Sequence, residues 1–197
     1  MPKVRIFLTG VGGQGTLTAT ILLARTALNM GLDVTAGEVH GMAQRGGVVE
    51  STLLIGGFKS PRIAHGEADV LLGFEPLETL RALPYLARKG VVVSNSESIP
   101  AIGVTMGRET APTLDEVKAH VEACAGSSVF VPCQTLGQKA GALQCGNLAL
   151  LGALCATDAV PMTPEDLANA VRATLKPKLV DMNLRAIEYG VASVTRA

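Results

Sequence analysis

A short apolar run with a β-branched bias, Val4-Arg5-Ile6-Phe7-Leu8, gives way to Gly10-Val11-Gly12-Gly13-Gln14-Gly15. Leu17, Ile21, Ala24 and Leu28 then recur at spacings of 4, 3 and 4, one face of a helix, with Gly31 placed to cap it. A buried strand that turns through glycines into a helix commits the chain to an α/β layout. The rest of the sequence continues the alternation. Apolar runs over 33–39, 48–55, 69–74, 91–93 and 129–131 read as strands, and 76–86 and 114–123 read as helices. Beyond about Thr135 the pattern turns helical, with helices near 148–156, over 164–175 and from 179 to about 191. Thr163-Pro164-Glu165-Asp166 is a start signal, with Thr163 as N-cap, Pro164 at N1 and acids facing the helix dipole. The expectation is a doubly wound α/β domain. Its sheet is mostly parallel with helices on both faces, its C-terminal part is helical, and residues 1–197 form a single domain.

Composition excludes several functions. The formal net charge is zero, from 17 basic and 17 acidic side chains, so no general field draws in phosphate backbones or anionic lipid. Phe7, Phe58, Phe74, Phe130, Tyr85 and Tyr189 are too few for a base-stacking platform. The expectation is no nucleic acid and no membrane as partner. The most apolar stretch, 148–156, falls far short of the roughly 18 residues that span a bilayer. Cys124, Cys133, Cys145 and Cys155 are spaced by 9, 12 and 10, with no C-x-x-C pair for zinc or a cluster. They read as small apolar core residues, with Cys133, at a strand end, the one to test for reactivity. Met1 leads straight into Pro2-Lys3-Val4-Arg5, without the regions of a signal peptide, so reduced thiols in a cytoplasmic protein are expected.

Gly10, Gly12 and Gly15 fit G-x-G-x-x-G between a strand and a helix. Glycines there permit close backbone approach, and the N–H groups opening a helix attract anions. Glu38 follows Gly15 by 23 residues, about where a ribose-binding acid belongs. The same turn also serves where a strand folds tightly into a helix, or where another chain packs on the glycines. Gly13 and Gln14 occupy ordinary slots, and no Lys-Ser/Thr pair follows, which excludes a triphosphate loop.

The second motif is Glu38-Val39-His40-Gly41-Met42-Ala43-Gln44-Arg45-Gly46-Gly47. It has no helical or strand period, yet gathers a carboxylate, an imidazole, an amide and a guanidinium among glycines. Loops at the carboxyl end of a parallel strand are where α/β proteins place function. Arg45 before Gly46-Gly47 offers a guanidinium fork and backbone N–H groups to a carboxylate or phosphate. A glycine-rich turn whose polar groups satisfy one another is the alternative.

Together the two motifs resemble the gamma subunit, or gamma-like domain, of 2-oxoacid:ferredoxin oxidoreductases, and most closely the short separate chain of the indolepyruvate enzymes. The resemblance continues through Ser60-Pro61, Gly66-Glu67-Ala68-Asp69 and Glu75-Pro76-Leu77-Glu78. It returns at Asn147, Leu151-Gly152-Ala153, Asn183, Ala186 and Gly190, and so covers nearly the whole chain. Two departures stand out: Leu54 where the family often has arginine, and Ala111-Pro112 where it often has tyrosine before the proline.

The resemblance implies a role in oxidative decarboxylation of a 2-oxoacid to an acyl-coenzyme A, with ferredoxin as acceptor. It implies that thiamine diphosphate, magnesium and 4Fe-4S clusters sit on a larger partner subunit and none on this chain, with coenzyme A as co-substrate. Ferredoxin would be met through the complex, and the isolated chain would form a homodimer through its partner-facing surface. The catalytic candidates are His40 and Arg45. The candidates facing partner or cofactor are Gly10, Gly12, Gly13, Gln14, Gly15, Glu38, Gly41, Met42, Gln44, Gly46, Gly47, Glu75 and Asn147, and no metal ligand is expected. Two rival readings are a stand-alone NAD(P)- or FAD-dependent oxidoreductase and a non-catalytic assembly scaffold.

Among the remaining residues, His65 reads as an exposed turn histidine and His120 as a solvated helix residue. Glu75, at a strand end before Pro76, is either a ligand contact or a helix-start carboxylate. Asn147 has N-cap chemistry, which favours capping over a functional amide.

Overall fold

The computed structural model describes residues 2–40, 47–98 and 112–194, with 39 and 40 by backbone alone. The opening strand is β1 (Val4–Val11), and α1 (Thr16–Asn29) carries the chain to β2 (Val34–His40) and β3 (Val48–Ile55). Then come β4 (Ala68–Gly73), α2 (Pro76–Ala82), β5 (Leu86–Asn95), α3 (Leu114–Cys124) and β6 (Ser127–Val131). The helical part is α4 (Cys133–Ala140), α5 (Gly146–Cys155), α6 (Pro164–Thr174) and α7 (Pro177–Val194).

The six strands form one sheet in the order β2-β3-β1-β4-β5-β6. β1, β4, β5 and β6 are parallel, while β3 runs antiparallel to both β1 and β2. The sheet is therefore mixed, with a single reversed strand. Only residues 41–47 separate β2 from β3, too few for the crossover of a dozen or more residues that a parallel pair needs.

Side-chain alternation along β1 feeds two cores. Ile6 and Leu8 enter the larger one with α1, α5, α6 and α7, whereas Phe7 enters the smaller one with Ala82 of α2 and Val117 and Val121 of α3. Helices cover both faces of the sheet. The apolar stretch read as too short for a membrane is α5, in which every residue except Asn147 is buried. No helix among the described residues is long and apolar enough to cross a membrane.

Several boundaries differ from the sequence expectation. α2 stops at Ala82 and a 3-10 turn spans Leu83–Tyr85, because Pro84 lacks the N–H that a longer α-helix needs. α4 is a separate element that the sequence expectation lacks. Gly137 breaks its pattern, and is required there because a Cβ would lie 2.6 Å from the Leu143 carbonyl oxygen. Gly31 caps α1 as expected: its φ is +73°, and the Leu32 N–H reaches back to the Ala27 carbonyl at 3.1 Å. Thr163 caps α6 as expected, in a reciprocal box with Asp166. The stripe on α1 behaves differently from an ordinary core face. Leu17, Ile21 and Leu28 are 40, 45 and 57% exposed, and the helix packs inward through Ala19, Leu22, Leu23 and Ala27.

Candidate functional site

The carboxyl ends of β1, β4, β5 and β6 lie along one edge of the sheet, and the chain's order reverses there between β1 and β4. The glycine turn sits at this point. Its polar groups are largely spent on closing the turn itself. The Gln14 side-chain Oε1 accepts the Val11 N–H at 2.7 Å, and the Gln14 N–H donates to the Val11 carbonyl at 3.0 Å. The Gly12 N–H donates to the Gly47 carbonyl at 2.8 Å, so the two sequence motifs are joined by a backbone hydrogen bond. The register agrees, with Val11 opposite Val48 and Gly10 opposite Val49. Gly10 is hemmed in: a Cβ there would stand 2.9 Å from Gln14 Oε1, from Thr16 Oγ1 and from the Phe74 Cβ.

Asn147 closes the turn from the other side. Its Nδ2 donates to the Gln14 carbonyl at 2.7 Å, across 133 residues of sequence. It is the second residue of α5, whose N-cap is Cys145, so the capping role expected for it is not the one it plays. Gly15 has φ +83°, and a Cβ there would lie 2.7 Å from this amide nitrogen. Asn147 thus fills the space in front of α1.

Beside the turn is a crevice of about 250 Å³ walled by Gln14, Asn95, Gln134, Gln144 and Asn147. Asn95 stitches it together. Its Nδ2 donates to the Phe74 carbonyl at 3.1 Å and to Gln134 Oε1 at 3.0 Å, while its Oδ1 accepts from the Cys133 and Glu97 N–H groups. Asn95 and Gln134 belong to no motif in the sequence. A carboxamide directly after the Val91-Val92-Val93-Ser94 run, at the same edge as the glycine turn, was the available signal. The crevice wall is rich in neutral amides, and its ionisable group is the Cys133 thiol, whose pKa burial drives far upward. It can hydrogen-bond a guest but has no group poised for proton transfer near neutral pH.

The other thiols follow the same logic with one exception. Cys145 and Cys155 are buried and shifted up by burial, Cys155 to about 12, whereas Cys124 is exposed at the end of α3 and is not a core residue. Cys133 opens α4 as a buried, protonated thiol. Among the described residues no group of three His, Cys, Asp or Glu side chains can hold a metal ion. The described donor set therefore does not fit a cluster or a magnesium ion.

On the opposite face of the same edge the carboxylates gather around α2. Glu75 is its N-cap, with Oε2 accepting the Glu78 N–H at 3.1 Å and Oε1 accepting from Ser98 Oγ at 2.7 Å. Burial raises the Glu78 pKa, the Arg81 guanidinium at 2.9 Å opposes that rise, and Glu75 and Glu50 add to it. Burial also raises Glu50, which lies opposite Thr9 in the sheet. Among the described residues, five buried side-chain atoms have no hydrogen-bond partner: Thr9 Oγ1, Gln14 Nε2, Thr16 Oγ1, Ser51 Oγ and Glu78 Oε2. Each costs about 1–3 kcal/mol when left so, and three of them belong to the end of β1 and the turn into α1.

The remaining candidates divide as follows. Glu38 lies in β2, level with Ser51 of β3, and β3 separates it from β1. Two inter-strand spacings put it about 10 Å across from β1, whereas a ribose-binding acid belongs on the strand next to the glycine turn. Gly13, with φ +100°, is exposed at the turn's tip, and Gly47 carries the bond from Gly12. His40 ends β2. Gly41, Met42, Gln44, Arg45 and Gly46 lie outside the described residues, as does Ala111. Leu54 is buried beside Phe7 in the smaller core. His65 and His120 are exposed, and His65 packs edge-on against Tyr85.

Comparison with known proteins fits this arrangement. The family model described as pyruvate ferredoxin/flavodoxin oxidoreductase matches residues 5–193. The indolepyruvate oxidoreductase subunit IorB of Thermococcus kodakarensis is 42% identical over 97% of this chain and 96% of its own length. The ketoisovalerate oxidoreductase subunit VorA of Methanothermobacter thermautotrophicus is 26% identical over 96% of this chain but only 36% of its own length. The crystal structure of pyruvate oxidoreductase subunit PORC from Thermotoga maritima covers 98% of this chain and 97% of its own, with a TM-score of 0.73 at 22% identity. That structure shows the same fold, including the mixed sheet and the helical C-terminal part. A near-complete family match and a full-length relative well above 30% identity show that the chain belongs to the pyruvate ferredoxin/flavodoxin oxidoreductase family.

Proposed function

We propose that this chain is the small subunit of an indolepyruvate, or more broadly arylpyruvate, ferredoxin oxidoreductase. The observation that carries the reading is the 42% identity to an indolepyruvate oxidoreductase subunit over nearly the full length of both chains. In this reading a larger, cytoplasmic partner subunit holds thiamine diphosphate, magnesium and the 4Fe-4S clusters, and supplies electrons to ferredoxin while coenzyme A takes the acyl group. This chain contributes a preorganised wall. The glycine turn, closed by Gln14 and Asn147 and bonded to Gly47, presents backbone and amides beside the partner's active site. Arg45 and His40 act from the second motif, whose Gly47 the turn bonds, and a guanidinium fork suits a carboxylate or phosphate.

The stand-alone dinucleotide reading is less well supported, because Glu38 is a strand too far away and the Gly12 N–H is already bonded. The test is affinity purification of the tagged chain from its native cells, followed by iron and thiamine diphosphate analysis. A larger co-purifying chain carrying both, with indolepyruvate-dependent ferredoxin reduction, is expected. Arg45→Ala should then lower that activity while the isolated subunit stays folded. A cofactor-free single species would remove the reading, and full activity of R45A would remove the role given to Arg45.

A further inference from the structure

The outward side of α1 is unlike that of the charged helices around it. Its exposed residues are Leu17, Thr18, Ile21, Arg25, Leu28 and Asn29, a single charge in four turns. The exposed side of α3, on the other face of the sheet, instead carries Asp115, Glu116, His120 and Glu122. Leu17, Ile21 and Leu28 fall within about 40° of one another around the helix and span roughly 16 Å along it. Flanking this stripe is an open groove of about 370 Å³, whose walls include Ile21, Leu22, Leu148, Leu175 and Leu179. Val48 of β3, 37% exposed, and Leu143, 48% exposed, extend apolar surface to either side of the glycine turn. A contiguous, nearly uncharged patch of this kind marks a protein contact whose core excludes charge.

We infer that the Leu17-Ile21-Leu28 face of α1 and its adjoining groove dock the larger subunit of the same enzyme. The inference rests on the function proposed above and adds to it the surface through which that partner is held. Two observations select this occupant. The patch runs into the glycine turn, so one apolar surface is continuous with the edge that the proposed function sets beside the partner's chemistry. Moreover, in the matching ketoisovalerate subunit this domain is about a third of a longer polypeptide, so a domain of this type can be covalently tied to a much larger protein mass. A chain that carries the domain separately must replace that tether by surface, and charge-poor apolar area is what a permanent contact uses.

The test compares the tagged wild-type chain with Ile21→Glu/Leu28→Glu and with Glu122→Lys, each expressed in the native cells. Circular dichroism and thermal melting of the purified chains first establish that all three fold alike, as exposed positions permit. The larger chain, identified by its iron and thiamine diphosphate, should co-purify with wild type and E122K. It should fall at least about tenfold with I21E/L28E, since two carboxylates would be desolvated in an apolar contact. Undiminished recovery with I21E/L28E overturns the docking face and leaves the proposed function intact. Should I21E/L28E turn a wild-type homodimer into a monomer yet keep the larger chain, the face is a self-contact and the inference is overturned. If wild type brings down no such chain, both the inference and the proposed function fail.

Discussion

Asn147 shows how one amide can hold a functional turn without touching a ligand. Its Nδ2 bond to the Gln14 carbonyl fixes the loop that in turn bonds Gly47. Removing it with Asn147→Ala should cost about 1 kcal/mol, a fall in melting temperature of roughly 2–4 °C for a chain of this size. Asn147→Ser separates the two roles considered for this residue. Serine is a good N-cap and would restore stability if capping were its function, whereas it cannot reach Gln14 and should melt with the alanine variant. Matching melts for N147A and N147S establish the tie, and recovery with serine refutes it. Chemistry alone could not distinguish these roles, because the partner lies 133 residues away in sequence. The role of Asn95 is not legible in the sequence for the same reason: its bonds run to Phe74, Gln134 and Cys133 on other elements. Gln14, by contrast, is legible as part of a strand–turn–helix motif, since its side-chain bond, to the Val11 N–H, is local.

At the scale of elements, the strands and most helices were legible because apolar runs, Thr163-Pro164 and Gly31 act over a few residues. What was not legible depends on tertiary partners. The direction of β3 follows from the length of the loop before it, and the glycine within α4 is needed to admit the Leu143 carbonyl. The α1 stripe had the right period, but which side of the helix meets the sheet is set by the small residues Ala19 and Ala27 packing inward. The α5–α7 contact is the clearest case of a residue pattern explained by packing. Gly152, Ala186 and Gly190, all carried by the family resemblance, lie where these two helices approach most closely. A Cβ on Gly190 would stand 1.8 Å from the Ala149 carbonyl oxygen, and one on Gly152 2.5 Å from that of Ile187. Backbone cannot yield as a flexible side chain does, so Gly190→Ala should destabilise by about 3 kcal/mol. Exposed Glu188→Ala on the same helix should stay within about 0.5 kcal/mol. Urea unfolding of the two variants checks this, and a G190A midpoint equal to wild type would mean the helices are not in backbone contact.

For the whole molecule, the features left unfinished share one region. The turn's orphaned polar atoms, the crevice of amides, Gly47 and the α1 stripe lie at or run up to the carboxyl edge of the sheet. A chain shaped in this way is completed by association, and association shifts folding by mass action. With free partner at about 100 times Kd the folded chain gains about 2.7 kcal/mol, which at this size raises its melting temperature by roughly 5–10 °C. The nature of the contact decides how salt acts on that gain. The chain has no net charge and the exposed side of α1 carries only Arg25, so screening has little to weaken. Apolar burial instead persists at high ionic strength. Melting the subunit alone and within the purified complex, at low salt and in 1 M sodium chloride, should therefore show the same increment at both. An increment that collapses in salt would transfer the binding to charged loops such as that of Arg45, and no increment at either would mean that this surface is already complete on its own.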